Sequence, residues 1–416
     1  MLWVATMIIA CFGDAVAQVS YKITDLGTNH SNDNFSMAMG LNNHGWAENM
    51  DGFVNPPENN LFTSVSRGRA VVNVDGLNID LGTLGKPDAN SWINWGGINE
   101  SGEAVGMSET AVPDPDGEDV CGFGTELICV PFFWRNGHMK ALPTVGGNNG
   151  QASAINNRGQ VAGYAETSVV DSGCPPYKVT SAVVWDNGKA IALPNVGGDV
   201  DGVAFGINNQ GEAVGYSGSC VAATHAVVWK NNTAVVLQDL GGTKSNIAYV
   251  INNRGQMAGK VRSADGSTYV AAFWQPDGTL TTIGILPGDF AAFATGINSR
   301  GQVVGNTFDS DFNWTHGFIW QNGVMTDLNT LISGDSNLSI ISASNINDSG
   351  QISGMATVLS GPHMGKIHAY LATPVNGNVP AGKSVADVVR TLPRTALPAD
   401  MRKPPMHSAG HCRLDR

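Results

Sequence analysis

Short runs of small and apolar residues, broken at close intervals by Asn and Gly, recur along most of this chain. One stretch shows the pattern: GVAFGI (202–207), the turn NNQG, EAVGYS (212–217), HAVVW (225–229), then Asn231-Asn232. Runs this short, bounded by turn residues, predict β-strands and leave no length for amphipathic helices. The Asn-x-x-Gly segments predict tight turns, because an Asn side chain can bond the backbone just ahead of it and Gly accepts the conformation that follows.

The turn is periodic. LNNHG, INESG, INNRG, INNQG, INNRG, INSRG and INDSG place their first Asn at 42, 99, 156, 208, 252, 298 and 347, spaced by 57, 57, 52, 44, 46 and 49 residues. Between them falls a second motif, FFWRNG, VVWDNG, VVWKNN, AFWQPDG and FIWQNG, with Asn-Gly as a hairpin signal. Each unit therefore reads as four strands, a period that suits a propeller blade and exceeds one coil of a β-helix. The seventh unit lacks a fourth strand, while YKITDLG (21–27) near the start matches GVMTDLN (323–329). The expectation is an all-β, seven-bladed β-propeller over 18–375. Its N-terminal strand completes the last blade and removes an open edge.

Residues shared by the units read as structure. Ala38, Ala152, Ala204, Ala248, Ala294 and Ala343 fall on the innermost strand, where blades crowd and small side chains fit; Trp95 departs from the rule. Trp134, Trp185, Trp229, Trp274 and Trp320 read as packing between blades, each ring worth about 2–3 kcal/mol when buried. His225, His316 and His368 share one repeat position and read as structural. Local function belongs where the units differ.

The segments HAVVWKNN…LQDLGG (225–242), HGFIWQNG…DLNTL (316–331) and IDLGTLG (79–85) resemble the HAF-repeat family of extracellular bacterial proteins, over roughly residues 21–375. The resemblance implies export and a repeat β fold, and carries over no catalytic residue. Some members of that family end in a Pro-Glu-Pro sorting tail with a membrane span, which residues 376–416 do not show.

Charge and composition narrow the function. A formal charge of −12 opposes a nucleic-acid partner, since phosphate binding needs clustered Lys and Arg. The apolar run LWVATMIIACF (2–12), followed by Ala15-Val16-Ala17, predicts a signal peptide over 1–17 and a secreted, periplasmic or cell-surface location. The alternative is a lipoprotein anchored at Cys11. No later segment is long and apolar enough to span a bilayer. Residues 376–416 carry seven Lys and Arg against three Asp and predict a disordered basic tail.

In a four-stranded blade the first–second and third–fourth turns share one face, and here those are tight. The insertions at about 51–67, 108–130 and 166–180 fall on the opposite face, which is the expected binding face. DPDGED (114–119) lies in one of them. Its Asp114, Asp116, Glu118 and Asp119 offer closely spaced oxygens, as a Ca²⁺ site would, although a full calcium loop is absent. Export permits disulfides, and the expected pairs are Cys121–Cys129 within one insertion and Cys174–Cys220 between neighbouring blades, leaving Cys412 over. No nucleophile elbow, phosphate loop or zinc-helix motif occurs. The expected function is a non-catalytic, monomeric binding or scaffold module, without a required cofactor, for a glycan, peptide or cell-surface component. The alternative is a polysaccharide lyase or glycoside hydrolase with acids converging at the channel mouth.

Overall fold

A computed structural model describes residues 19–29, 33–54, 65–175, 177–220, 222–242 and 245–375. The expected signal segment, Cys11, the tail with Cys412 and most of the insertion at 51–67 lie outside the described residues. What is described is β structure, apart from one short 3-10 turn at Leu328–Leu331. No helix among the described residues is long and apolar enough to cross a membrane.

There are five separate four-stranded sheets and one of eight strands. The quartet of Asp201–Ile207, Ala213–Ser219, Ala222–Lys230 and Thr233–Val236 is representative: each strand pairs antiparallel with the next. The eight-stranded sheet divides into two quartets that meet at a single parallel pair, Phe35 with Ile367. One of these quartets holds both ends of the described chain. Strand Ser20–Gly27 pairs antiparallel with Ile367–Val375, from Ser20 opposite Val375 to Gly27 opposite Ala369.

Every innermost strand carries a register shift just before its Asn turn, as between Ala38 and Gly40 or between Ala204 and Gly206. A bulge adds one unpaired residue and re-aims its side chain. The extra residues Met39, Phe205 and Tyr249 join a central apolar cluster that draws on every quartet. The shift also accounts for Trp95. In the second quartet the gap is longer, from Ile93 to Ile98, and Ile93 stands opposite Gly106 as Ala152 stands opposite Gly163. Trp95 therefore lies in the bulge and not at the Ala position.

The remaining apolar clusters lie between neighbouring quartets. Ala38, Leu41 and Ala47 of the first pack with Ala369 of the last. Trp185, Trp229 and Trp274 are almost fully buried there, and each indole N–H donates at 2.7 Å to a carbonyl of the preceding quartet's exit: Pro143, Pro194 and Gln238. Trp320 is partly buried against the cluster between the fifth and sixth quartets, and Trp134 against the central one.

The Asn turns link the quartets in series. The Nδ2 of Asn42 donates to the carbonyl of Asn99, and Asn99 to that of Asn156. The series continues through Asn208, Asn252, Asn298 and Asn347, and Asn347 donates to Asn42 at 3.0 Å.

Candidate functional site

At the edge opposite the Asn turns, a loop of the second quartet meets the start of the third. The loop between Ala104–Pro113 and Leu127–Arg135 carries the acidic run, and the carboxylate oxygens of Asp114, Asp116 and Glu118 lie within 4.8 Å of one another. Asp119 is not among them: its Oδ2 accepts the Gly124 N–H at 2.8 Å and so serves the loop itself. Asp114 is buried, Asp116 exposed and Glu118 between the two.

A fourth carboxylate was not singled out from the sequence. Glu166 hydrogen bonds with Glu118 and accepts the backbone N–H of Asn149 at 2.9 Å. Asn149 clamps the group. Its Oδ1 accepts the Cys129 N–H at 2.9 Å, and its Nδ2 donates to Asp114 at 2.8 Å and to Glu118 and Glu166 at 3.3 Å. Lys178 forms an ion pair with Asp116. Burial, then repulsion from Glu166, pushes the Glu118 carboxyl up to about 8. Lys178 is held above its usual value, chiefly by its bond to Asp116. The signal for Glu166 was present in the repeats: SET at 108–110 and AET at 165–167 occupy matching places, and Glu109 accepts the Asn90 N–H just as Glu166 accepts that of Asn149.

The cysteines divide. Cys121 and Cys129 are bridged, with Cα atoms 5.5 Å apart, and tie the acidic loop to the strand that Asn149 holds. Cys174 and Cys220 are free thiols, which corrects the expected second bridge. The adjacent loops bring them side by side, but the sulfurs meet in a hydrogen bond and not a covalent one. That bond, with burial and the neighbouring Cys174, Asp171 and Asp201, pushes the Cys220 thiol up to about 12. A smaller acidic run at 309–313 forms a turn: Asp309 accepts both the Asp311 and Asn313 N–H groups at 2.9 Å. The repeated histidines each meet an Asp at 2.9 Å, in the pairs His225–Asp199, His316–Asp289 and His368–Asp25.

The described cavity lies elsewhere. It measures about 190 Å³ and opens among the Asn turns, on the face expected to carry only structure. Its wall is the aliphatic residue before each turn, from Leu41 to Ile346; its rim is the residue after each first Asn, from Asn43 to Asp348.

Among solved structures the chain is similar to the β-propeller domain of the trilobed protease from Pyrococcus furiosus, at 8% identity and a TM-score of 0.47, covering 86% of this chain and 99% of that one. It is likewise similar to a streptogramin B lyase (8%, TM-score 0.47, 86% and 98%) and to a virginiamycin B lyase from Staphylococcus aureus (10%, TM-score 0.45, 85% and 99%). No curated protein matches the sequence. Residues 199–389 match the family described as protein of unknown function (DUF3466).

Proposed function

We propose that this chain is a closed seven-bladed β-propeller of the HAF-repeat kind that acts outside the cytoplasm as a non-catalytic binding module. The serial Asn bonds, the contact of first with last quartet and the pairing of Ser20–Gly27 with Ile367–Val375 support closure. Binding is assigned to the loop face, where Asp114, Glu118 and Glu166 gather on Asn149 with Asp116 beside them; that convergence carries the reading. A divalent cation, Ca²⁺ by its preference for carboxylate oxygens, would displace Lys178 and bridge to a glycan or a surface component. The disulfide favours an oxidising compartment.

A hydrolase finds less support. Glu118 and Glu166 bond each other directly, whereas glycosidic cleavage needs carboxyl groups roughly 5–9 Å apart. The test is calcium titration of the calcium-stripped protein by calorimetry, beside an Asp114→Ala/Asp116→Ala variant. One site per chain is expected, lost in the variant, while circular dichroism checks that the variant keeps its β structure. Equal and negligible heats in both proteins would remove the cation from the reading.

A further inference from the structure

We infer that the cavity among the Asn turns is a second binding site, on the opposite face, for a single sugar ring. Asn43, Glu100, Asn157, Asn209, Asn253 and Asp348 each use a side-chain oxygen to accept a neighbouring turn's backbone N–H. Glu100 donates to Asn157 at 3.1 Å, Asn157 to Asn209 at 2.9 Å and Asn209 to Asn253 at 2.8 Å. Asp348 donates to Asn43 at 2.8 Å, and Asn43 to Glu100 at 3.1 Å. These bonds fix which way each amide faces. With Oδ1 engaged, the Nδ2 groups of Asn43, Asn157, Asn209 and Asn253 are left as donors at the mouth, and none bonds another described residue.

The rim is also unequal around its circle. Asp348 and Glu100 flank Asn43 and place two carboxylates on one side. Asn157, Asn209 and Asn253 stand in succession on the other and offer amide donors. Beneath lies a belt of aliphatic side chains, and beneath that the buried bulge residues Phe205 and Tyr249 fill the interior. One wall position breaks the pattern. Where the other quartets have Gly, Ala or Val before the aliphatic residue, the last has Asn345, a polar group set into the apolar belt.

This chemistry selects a ligand class. No Lys or Arg lines the cavity, so a phosphate or carboxylate ligand would face Glu100 and Asp348 without a countercharge. A bare cation would leave the amide donors without acceptors. Hydroxyl groups both donate and accept, and so satisfy the carboxylates and the amides together, while the C–H face of a sugar ring covers the aliphatic belt. The volume, below the roughly 300 Å³ at which drug-sized pockets begin, admits one ring and not a chain of them.

The experiment is calorimetry and saturation-transfer NMR on the full chain with the methyl glycosides of glucose, galactose, mannose and N-acetylglucosamine. Asn209→Asp keeps the oxygen that Asn157 needs and turns the free donor into an acceptor. Glu100→Gln keeps one acceptor and turns the other into a donor. At least one glycoside is expected to bind once per chain. Either substitution should weaken it about tenfold or more while the melting temperature holds. A trisaccharide ending in the same sugar, binding more tightly, would assign the terminal residue of a glycan; equal affinity would assign the free sugar. The Asp114→Ala/Asp116→Ala variant should bind the sugar unchanged, which separates this site from the loop face. Absence of binding by all four glycosides at about 10 mM, or affinity indifferent to both rim substitutions, would overturn the proposal. So would loss of sugar binding in the loop variant.

Discussion

Glu48 stands where the second strands of other quartets carry Val105, Val214 or Val304. It is fully buried in space that β-carbons on Gly40 and Gly97 would need, and neither carboxylate oxygen has a partner among the described residues. Burial alone raises its pKa well above the ordinary 4.5. A carboxyl so placed favours its protonated form in the fold. Its contribution is fully present below pH 4.5 and is lost as pH rises through the folded value, by up to about 1.4 kcal/mol per pH unit. Urea unfolding between pH 5 and 9 should show stability falling with pH in the natural protein, and Glu48→Gln should abolish that component. Parallel profiles for the two proteins would mean that Glu48 is ionised in the fold. At this scale the sequence was informative where chemistry was concentrated. The alternating acids of DPDGED were visible as a cluster, and three of the four do converge. Glu166 was hidden because its place recurs as Glu109 and reads as structure. Cys174 and Cys220 were placed correctly as neighbours, but adjacency in a register does not specify whether two thiols bond.

Among the elements, Ser20–Gly27 has the clearest consequence. It covers the edge of Ile367–Val375, whose N–H and C=O groups would otherwise be open to another chain. Deletion of residues 18–27 should therefore cause aggregation or a large drop in melting temperature, read by light scattering and calorimetry. Removal of 377–416 should change neither. A harmless N-terminal deletion would show that the pairing does not seal the molecule. This strand was legible in advance because YKITDLG repeats the chemistry of a fourth strand. The bulges were not. One extra residue inside an apolar run leaves the alternation of residue types almost unchanged, so Trp95 looked like an exception at the Ala position when the register had moved around it.

At the scale of the whole molecule, the Asn turns couple every quartet to the next, including those that share no sheet. Asn252 accepts two backbone N–H groups of its own turn and donates from Nδ2 to Gln256 and to the carbonyl of Asn298, both at 2.9 Å. Asn252→Asp keeps the acceptors and removes the donor, and should cost about 1–3 kcal/mol in chemical unfolding. Asn347→Asp removes the bond to Asn42 across 305 residues of chain and should cost as much. A negligible cost at 347 alone would describe a stack with free ends. The pairing of Ser20–Gly27 with Ile367–Val375 also sets an order in time. A ribosome adding about 5–20 residues per second needs roughly 20–70 seconds to travel from the first of these strands to the second. Throughout that interval the first segment lacks its strand partner, so this pairing is one that early folding of the intervening quartets cannot hasten.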